Sequence, residues 1–194
     1  MLIMRQEKRL SRGFTLIEVL VAMVVLLVGV MGAAGLMVRT VQQEVEAYQR
    51  LQALNILQEM TDRMNANRGV VSCYSYGNTG ATFGVGVTES DFTVCGSGSA
   101  NERAMVATDI MAWNNLLNGV AEQLDTNNTG AMVGARGCIV QLSAAENQYR
   151  ITVAWQGMNE TVAPVATNTC GKDQYGSEKQ RRVISTIVRM GILS

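Results

Sequence analysis

From Val19 to Val38 the chain holds twenty residues without a charge. At ~1.5 Å of rise per residue, such a run spans a hydrocarbon layer of about 30 Å as a helix. Beyond Val38 the apolar positions become periodic. Val41, Val45 and Tyr48 recur at helical spacing, and Ala53, Leu57, Met60 and Met64 form a second stripe rotated around the axis. No proline interrupts the stretch, and Gln, Glu, Ala, Leu and Met favour helix. The pattern predicts one continuous helix from Phe14 to Asn67, roughly 80 Å long. Two stripes suggest two contacts, one with neighbouring helices and one with the chain's own globular part. A single stripe drifting around a bent helix fits the same spacing.

After Gly69, expected to end the helix, the pattern breaks. Residues 69–100 are rich in Gly, Ser, Thr and Asn, which predicts loops with short strands around Thr82–Val87 and Phe92–Cys95. Thr108 or Asp109 is expected to cap a helix running through Trp113, Leu116 and Leu117. Asp125–Gly134 reads as a turn. Three strands follow: Cys138–Leu142, Tyr149–Trp155 and Val183–Ile192, with Ala144–Asn147 turning the first into the second. Tyr149, Ile151, Val153 and Trp155 share one strand face at period two. The expected fold is α+β: a long N-terminal helix packed on a C-terminal antiparallel sheet. The expected parts are a leader (1–13), the long helix (14–68, with 14–38 spanning the membrane) and a globular head (69–194).

Charge refines this picture. The leader carries Arg5, Lys8, Arg9 and Arg12 against Glu7, which places it on the cytoplasmic side. Residues 14–194 hold 12 basic and 15 acidic side chains, and Arg181-Arg182 does not make a basic stripe. No nucleic-acid partner is expected. There is no histidine, so the usual general base is missing, and no GxSxG, P-loop or SxxK pattern occurs. No enzyme, cofactor or metal is expected. Asp125, Asn127, Thr129 and Gly130 imitate the start of a calcium loop, but Arg136 stands where the closing glutamate belongs. Trp113, Trp155, Tyr48 and Tyr149 are expected in or beside the core, with an aromatic binding platform as the sharper alternative.

Cys73, Cys95, Cys138 and Cys170 all lie beyond the apolar helix. An even count in an oxidising compartment reads as two disulfides, and separations of 22 to 43 residues without a close pair disfavour zinc. The local pairs Cys73–Cys95 and Cys138–Cys170 are favoured; sequence alone leaves the other two pairings open.

Glu18 is the exception inside the apolar run. A carboxylate within a membrane costs about 2.5 kcal/mol or more unless it has a partner. A plain signal anchor explains the length and the basic leader but neither Glu18 nor the junction Gly13-Phe14. The string Arg12-Gly13-Phe14-Thr15-Leu16-Ile17-Glu18-Val19-Leu20-Val21-Ala22, followed by the apolar helix, resembles the class III prepilin signal of type IV pilins and type II secretion pseudopilins. Gly29-Val30-Met31-Gly32 and the head layout look most like PilV-type minor pilins. The resemblance implies cleavage between Gly13 and Phe14 by a prepilin peptidase and N-methylation of Phe14. It further implies that Glu18 contacts the N-terminus of a neighbouring subunit. It implies an inner-membrane protein with a periplasmic head, later part of an extracellular pilus, with other minor and major pilins and a tip adhesin as partners. Priming of pilus assembly is the implied role. A minor pseudopilin and an adhesive or DNA-uptake pilin are the alternatives.

Overall fold

The computed structural model describes residues 13–120, 123–124, 127–128 and 132–191. The leader, all but its last residue, lies outside the described residues, as do Asp125, Thr129 and Gly130 of the calcium-like loop and the end of the last predicted strand. The chain divides into two units, one up to Gln43 and one from Glu44 onward.

Helix α1 runs from Leu16 to Ala66, 51 residues without a break. In its first unit the side chains from Phe14 to Val38 are exposed throughout. From Glu44 the helix is amphipathic. Gln49, Ala53, Ile56, Leu57, Met60 and Met64 turn inward, and these include the whole second stripe. Tyr48, of the first stripe, remains 55 % exposed. Gly69 is not the terminator. Asn67 already leaves helical geometry (φ −116°, ψ 42°), and a 3-10 helix follows over Arg68–Ser75. It closes on Tyr76, in the left-handed region at φ 51°, with Gly77 N–H donating to Ser72 O.

The glycine-rich segment holds less strand than expected. β1 covers only Ala81–Gly84, and a 3-10 turn at Glu89–Asp91 precedes Phe92–Cys95, which is not a strand. Phe92 instead sets its ring edge against Phe83, with centroids 5.8 Å apart.

Helix α2 spans Ala100–Leu117 and starts eight residues before the expected cap. Its cap is Ser99, whose hydroxyl oxygen accepts from Glu102 N–H while the Glu102 carboxylate accepts from Ser99 N–H. This reciprocal pair satisfies two of the free donors at a helix start. Thr108 and Asp109 therefore sit mid-helix.

β2 (Gln123–Leu124), just before the expected turn, and β3 (Asn127–Asn128), within it, form a small antiparallel pair. β4 (Val133–Ser143), β5 (Gln148–Gln156) and β6 (Arg181–Arg189) then build the main sheet in the order β1-β4-β5-β6, antiparallel throughout. The turn at 144–147 falls as expected.

One face of this sheet meets both helices. Tyr149, Ile151, Val153 and Trp155 of β5 are buried there with Phe83 and Ile139. Val106, Ile110, Trp113 and Leu117 of α2 join the inward stripe of α1 above them. Each such side chain contributes about 1.5–3 kcal/mol on leaving water. Trp113 is the centre: its Nε1–H donates to Ile56 O at 2.8 Å, and its ring meets Phe83 edge-on at 5.5 Å. Gly137 of β4 lies under that ring, where a Cβ would stand 2.3 Å from Cη2.

The other face carries a smaller cluster of Cys138, Ala154, Cys170 and Tyr175. Cys73 is bonded to Cys95, and Cys138 to Cys170. The second bond fastens the 157–180 segment to β4. Arg181, whose side chain is 1 % exposed, fastens it again. Its guanidinium donates to Asn168 O (2.8 Å) and Cys170 O (3.0 Å) and pairs with Glu178 (2.6 Å).

Candidate functional site: the N-terminal assembly segment

Gly13 precedes the helix and Phe14 stands exposed at its threshold. The first turn forms on Thr15, whose carbonyl accepts from Glu18 N–H (3.1 Å) and Val19 N–H (3.3 Å). Glu18 is in that first turn, where a carboxylate is favoured by the helix dipole. Its side chain is exposed, and the residues three and four positions either side are Phe14, Thr15, Val21 and Ala22. No described residue pairs with its carboxylate. One helical turn therefore brings together a potential cleavage junction, a residue that would become the N-terminus, and a free acid.

The helix behind this turn is long and apolar enough to cross a membrane. Gly29, Gly32 and Gly35 leave open space where a Cβ would stand. Small residues at this spacing let helices approach closely in lipid.

Among the described residues, the second unit holds no comparable constellation of reactive groups. No group of three or more His, Cys, Asp or Glu that would hold a metal occurs among the described residues. Of the four aromatics singled out, Trp113, Tyr149 and Trp155 are buried in the core, and only Tyr48 is exposed. They form no platform.

Sequence reasoning missed the role of Asp109. It is buried within α2, accepts a hydrogen bond from the Tyr74 hydroxyl, and pairs with Arg63 Nη1 at 2.8 Å. Arg63 also pairs with Glu59 one turn earlier on α1. Burial, with the Asp109 hydrogen bond second, pushes the Tyr74 hydroxyl well above the ordinary tyrosine range. The hydrogen bond to Glu59 comes first in raising the Arg63 guanidinium. This network ties α1, the 3-10 helix and α2 together. Its members are 35 and 46 residues apart in the chain, a separation no local pattern reveals.

Residues 8–34 match the model of the prokaryotic N-terminal methylation motif. No curated protein and no solved structure matches the chain. The matched stretch contains Gly13, Phe14, Glu18 and the apolar run as far as Ala34. The chain is thus type IV pilin-like, in its N-terminal signal and in the succession of one long helix and an antiparallel sheet.

Proposed function

We propose that this chain is a minor pilin, inserted in the inner membrane by α1, cut between Gly13 and Phe14, methylated on Phe14 and recruited into a type IV pilus. The single observation that supports this most is the unpaired Glu18 carboxylate inside the matched motif, one turn from the residue that cleavage would expose. The freed amino group of Phe14 is the cation of the right charge. Within one helix it lies on the same end as Glu18, so the neighbouring subunit is the source that also drives assembly. Burying an acid without a partner is costly; a neighbour's ammonium offsets that cost only when subunits are in register. The minor role, priming of assembly with other minor and major pilins, and placement of a tip adhesin belong to this proposal. So does a periplasmic head before assembly, with both disulfides formed in that oxidising space.

Glu18→Ala tests it. The expected variant inserts, is cleaved and folds, but is depleted from sheared surface filaments relative to wild type. Equal incorporation would remove Glu18 from assembly. Failure of cleavage would assign it to peptidase recognition. A companion change of Gly13 to a bulky residue is expected to leave a product about 13 residues heavier by intact mass, since cleavage sites of this kind require a small residue. Presence of the mature chain in a secretion complex and never in pili would favour the minor pseudopilin instead.

A further inference from the structure

The sheet ends on β6, and most of one side of that strand is unpaired. Gly157 N–H donates to Gln180 O (2.8 Å) and Met190 N–H to Asn147 O (3.0 Å). With the β5–β6 register, this means that even-numbered residues from Gln180 to Met190 turn their N–H and C=O toward β5. Odd-numbered residues turn theirs away. At the start of the strand the chain covers these groups itself. Arg181 N–H donates to Glu178 O (3.3 Å), and Lys179 O accepts from Thr161 N–H (2.9 Å). Three residues after Thr161 comes Pro164, which has no N–H for a ladder. Beyond that point no hydrogen bond among the described residues reaches the outward main-chain groups of Val183, Ser185, Ile187 or Arg189. Ser185 is exposed and Ile187 is 55 % exposed.

Folded proteins usually blunt such edges with bulges, prolines, charges or a covering segment. The opposite edge is blunted. β1 has four residues, its Gly84 N–H is taken by Asn114 Oδ1 (2.7 Å), and its Gly84 O accepts from Val87 N–H (3.0 Å). β6 is nine residues long and pairs with β5 without a register shift, whereas β4–β5 has two. Val183-Ile184-Ser185-Thr186-Ile187-Val188 contains no charge and five β-branched residues. The flanking arginines are already neutralised, Arg182 by Glu46 (3.4 Å) and Arg189 by Glu146 (2.6 Å).

We propose that the β6 edge from Val183 to Arg189 accepts an extended, uncharged strand of a different pilin-like chain as the fifth strand of the sheet. The open stretch is about 20 Å long, enough for a segment of five to seven residues with β-branched or apolar side chains at alternate positions. The inference rests on the assembly proposed above and names the contact. A second copy of this chain fits less well. The other edge of the four-stranded sheet, β1, is only four residues long, and both outward main-chain groups of its Gly84 are taken. Two β6 edges would pair about a two-fold axis normal to the sheet, which opposes the Glu44–Ala66 portions of α1 lying across it. Chains drawn from one membrane present that helix in the same sense.

Hydrogen exchange of the full-length mature chain, in detergent and in sheared filaments, tests this. In detergent the amides of Ser185 and Ile187 are expected to exchange much faster than those of Ile184 and Thr186. In filaments they are expected to slow by about tenfold or more. Ser185→Pro removes an outward donor and no bond to β5. Ile187→Lys places a charge beside the edge without touching the main chain. Both variants are expected to be processed and to melt as wild type, yet to fall about tenfold in filament content. Unprotected Ser185 and Ile187 amides in filaments, or both variants incorporating normally, overturns the edge contact alone. Absence of the wild-type chain from filaments overturns the assembly proposal and the edge contact with it. A detergent dimer with those amides already protected overturns the different-chain partner in favour of a second copy.

Discussion

The two halves of α1 dispose of their apolar surface in opposite ways. Up to Gln43 the apolar side chains point in every direction and none is buried by the chain itself. From Glu44 an inward stripe is covered by α2 and the sheet, while Val45, Tyr48, Leu51 and Leu54 stay exposed. Helix propensity does not separate the halves, since one unbroken helix carries both. The pattern separates them. Continuous apolarity needs an apolar surrounding on all sides, as lipid or a packed bundle supplies. Periodic apolarity needs one partner face. Tyr48 and Leu51 lie where the two regimes meet: exposed in the single chain, yet placed next to the buried stripe.

The largest effect that would break this comparison concerns the core. Trp113→Ala is expected to cost about 3–5 kcal/mol of head stability, because it removes the central aromatic and leaves Ile56 O without its donor. Leu27→Ala, a change in the exposed half, is expected to leave that stability within about 0.5 kcal/mol. Urea unfolding of the full chain in detergent, followed by near-UV circular dichroism, compares the two. Similar costs would show that the halves do not differ in what holds them.

A smaller test sharpens the comparison inside the second unit. Ser99→Ala is expected to cost about 1 kcal/mol through loss of the capping pair with Glu102. The unfolding midpoint should fall while the slope stays constant. No change would mean that α2 is held by packing alone.

The smallest effect appears only in alkali. Burial pushes the Tyr175 hydroxyl up to about 12, against the pull of Arg136 and Arg181. The folded head keeps a proton that the unfolded chain releases near 10. This contribution is complete below pH 10 and is lost as pH rises toward 12. At pH 10.5 about 0.8 kcal/mol of it has been lost. Stability measured between pH 9 and 11 should fall less steeply in Tyr175→Phe than in wild type. Tyr175→Phe also loses the bond to Gly134 O (3.0 Å), so the slope, not the absolute stability, is the measure.

Much of this architecture is legible in the residues because its causes are local. α1 was expected over Phe14–Asn67 and is found over Leu16–Ala66. The strands around Cys138, Tyr149 and Val183 follow from period-two burial and are longer than expected by a few residues at most ends. The matched methylation motif is equally local: Gly13, Phe14 and Glu18 fall within six residues of it. The start of α2 was hidden although its signal is present. Ser99-x-x-Glu102 sits at the end of a glycine- and serine-rich stretch that reads as loop, and Thr108-Asp109 competes for the same role. Asp109 proved to be a buried acceptor for Tyr74 and Arg63, and that role depends on packing.

Gly137 beneath Trp113 binds the histories of two positions twenty-four residues apart. With a Cβ at 137 held 2.3 Å from the indole, neither site drifts alone. Position 137 gains a side chain only after, or together with, smaller residues at 113 and 117.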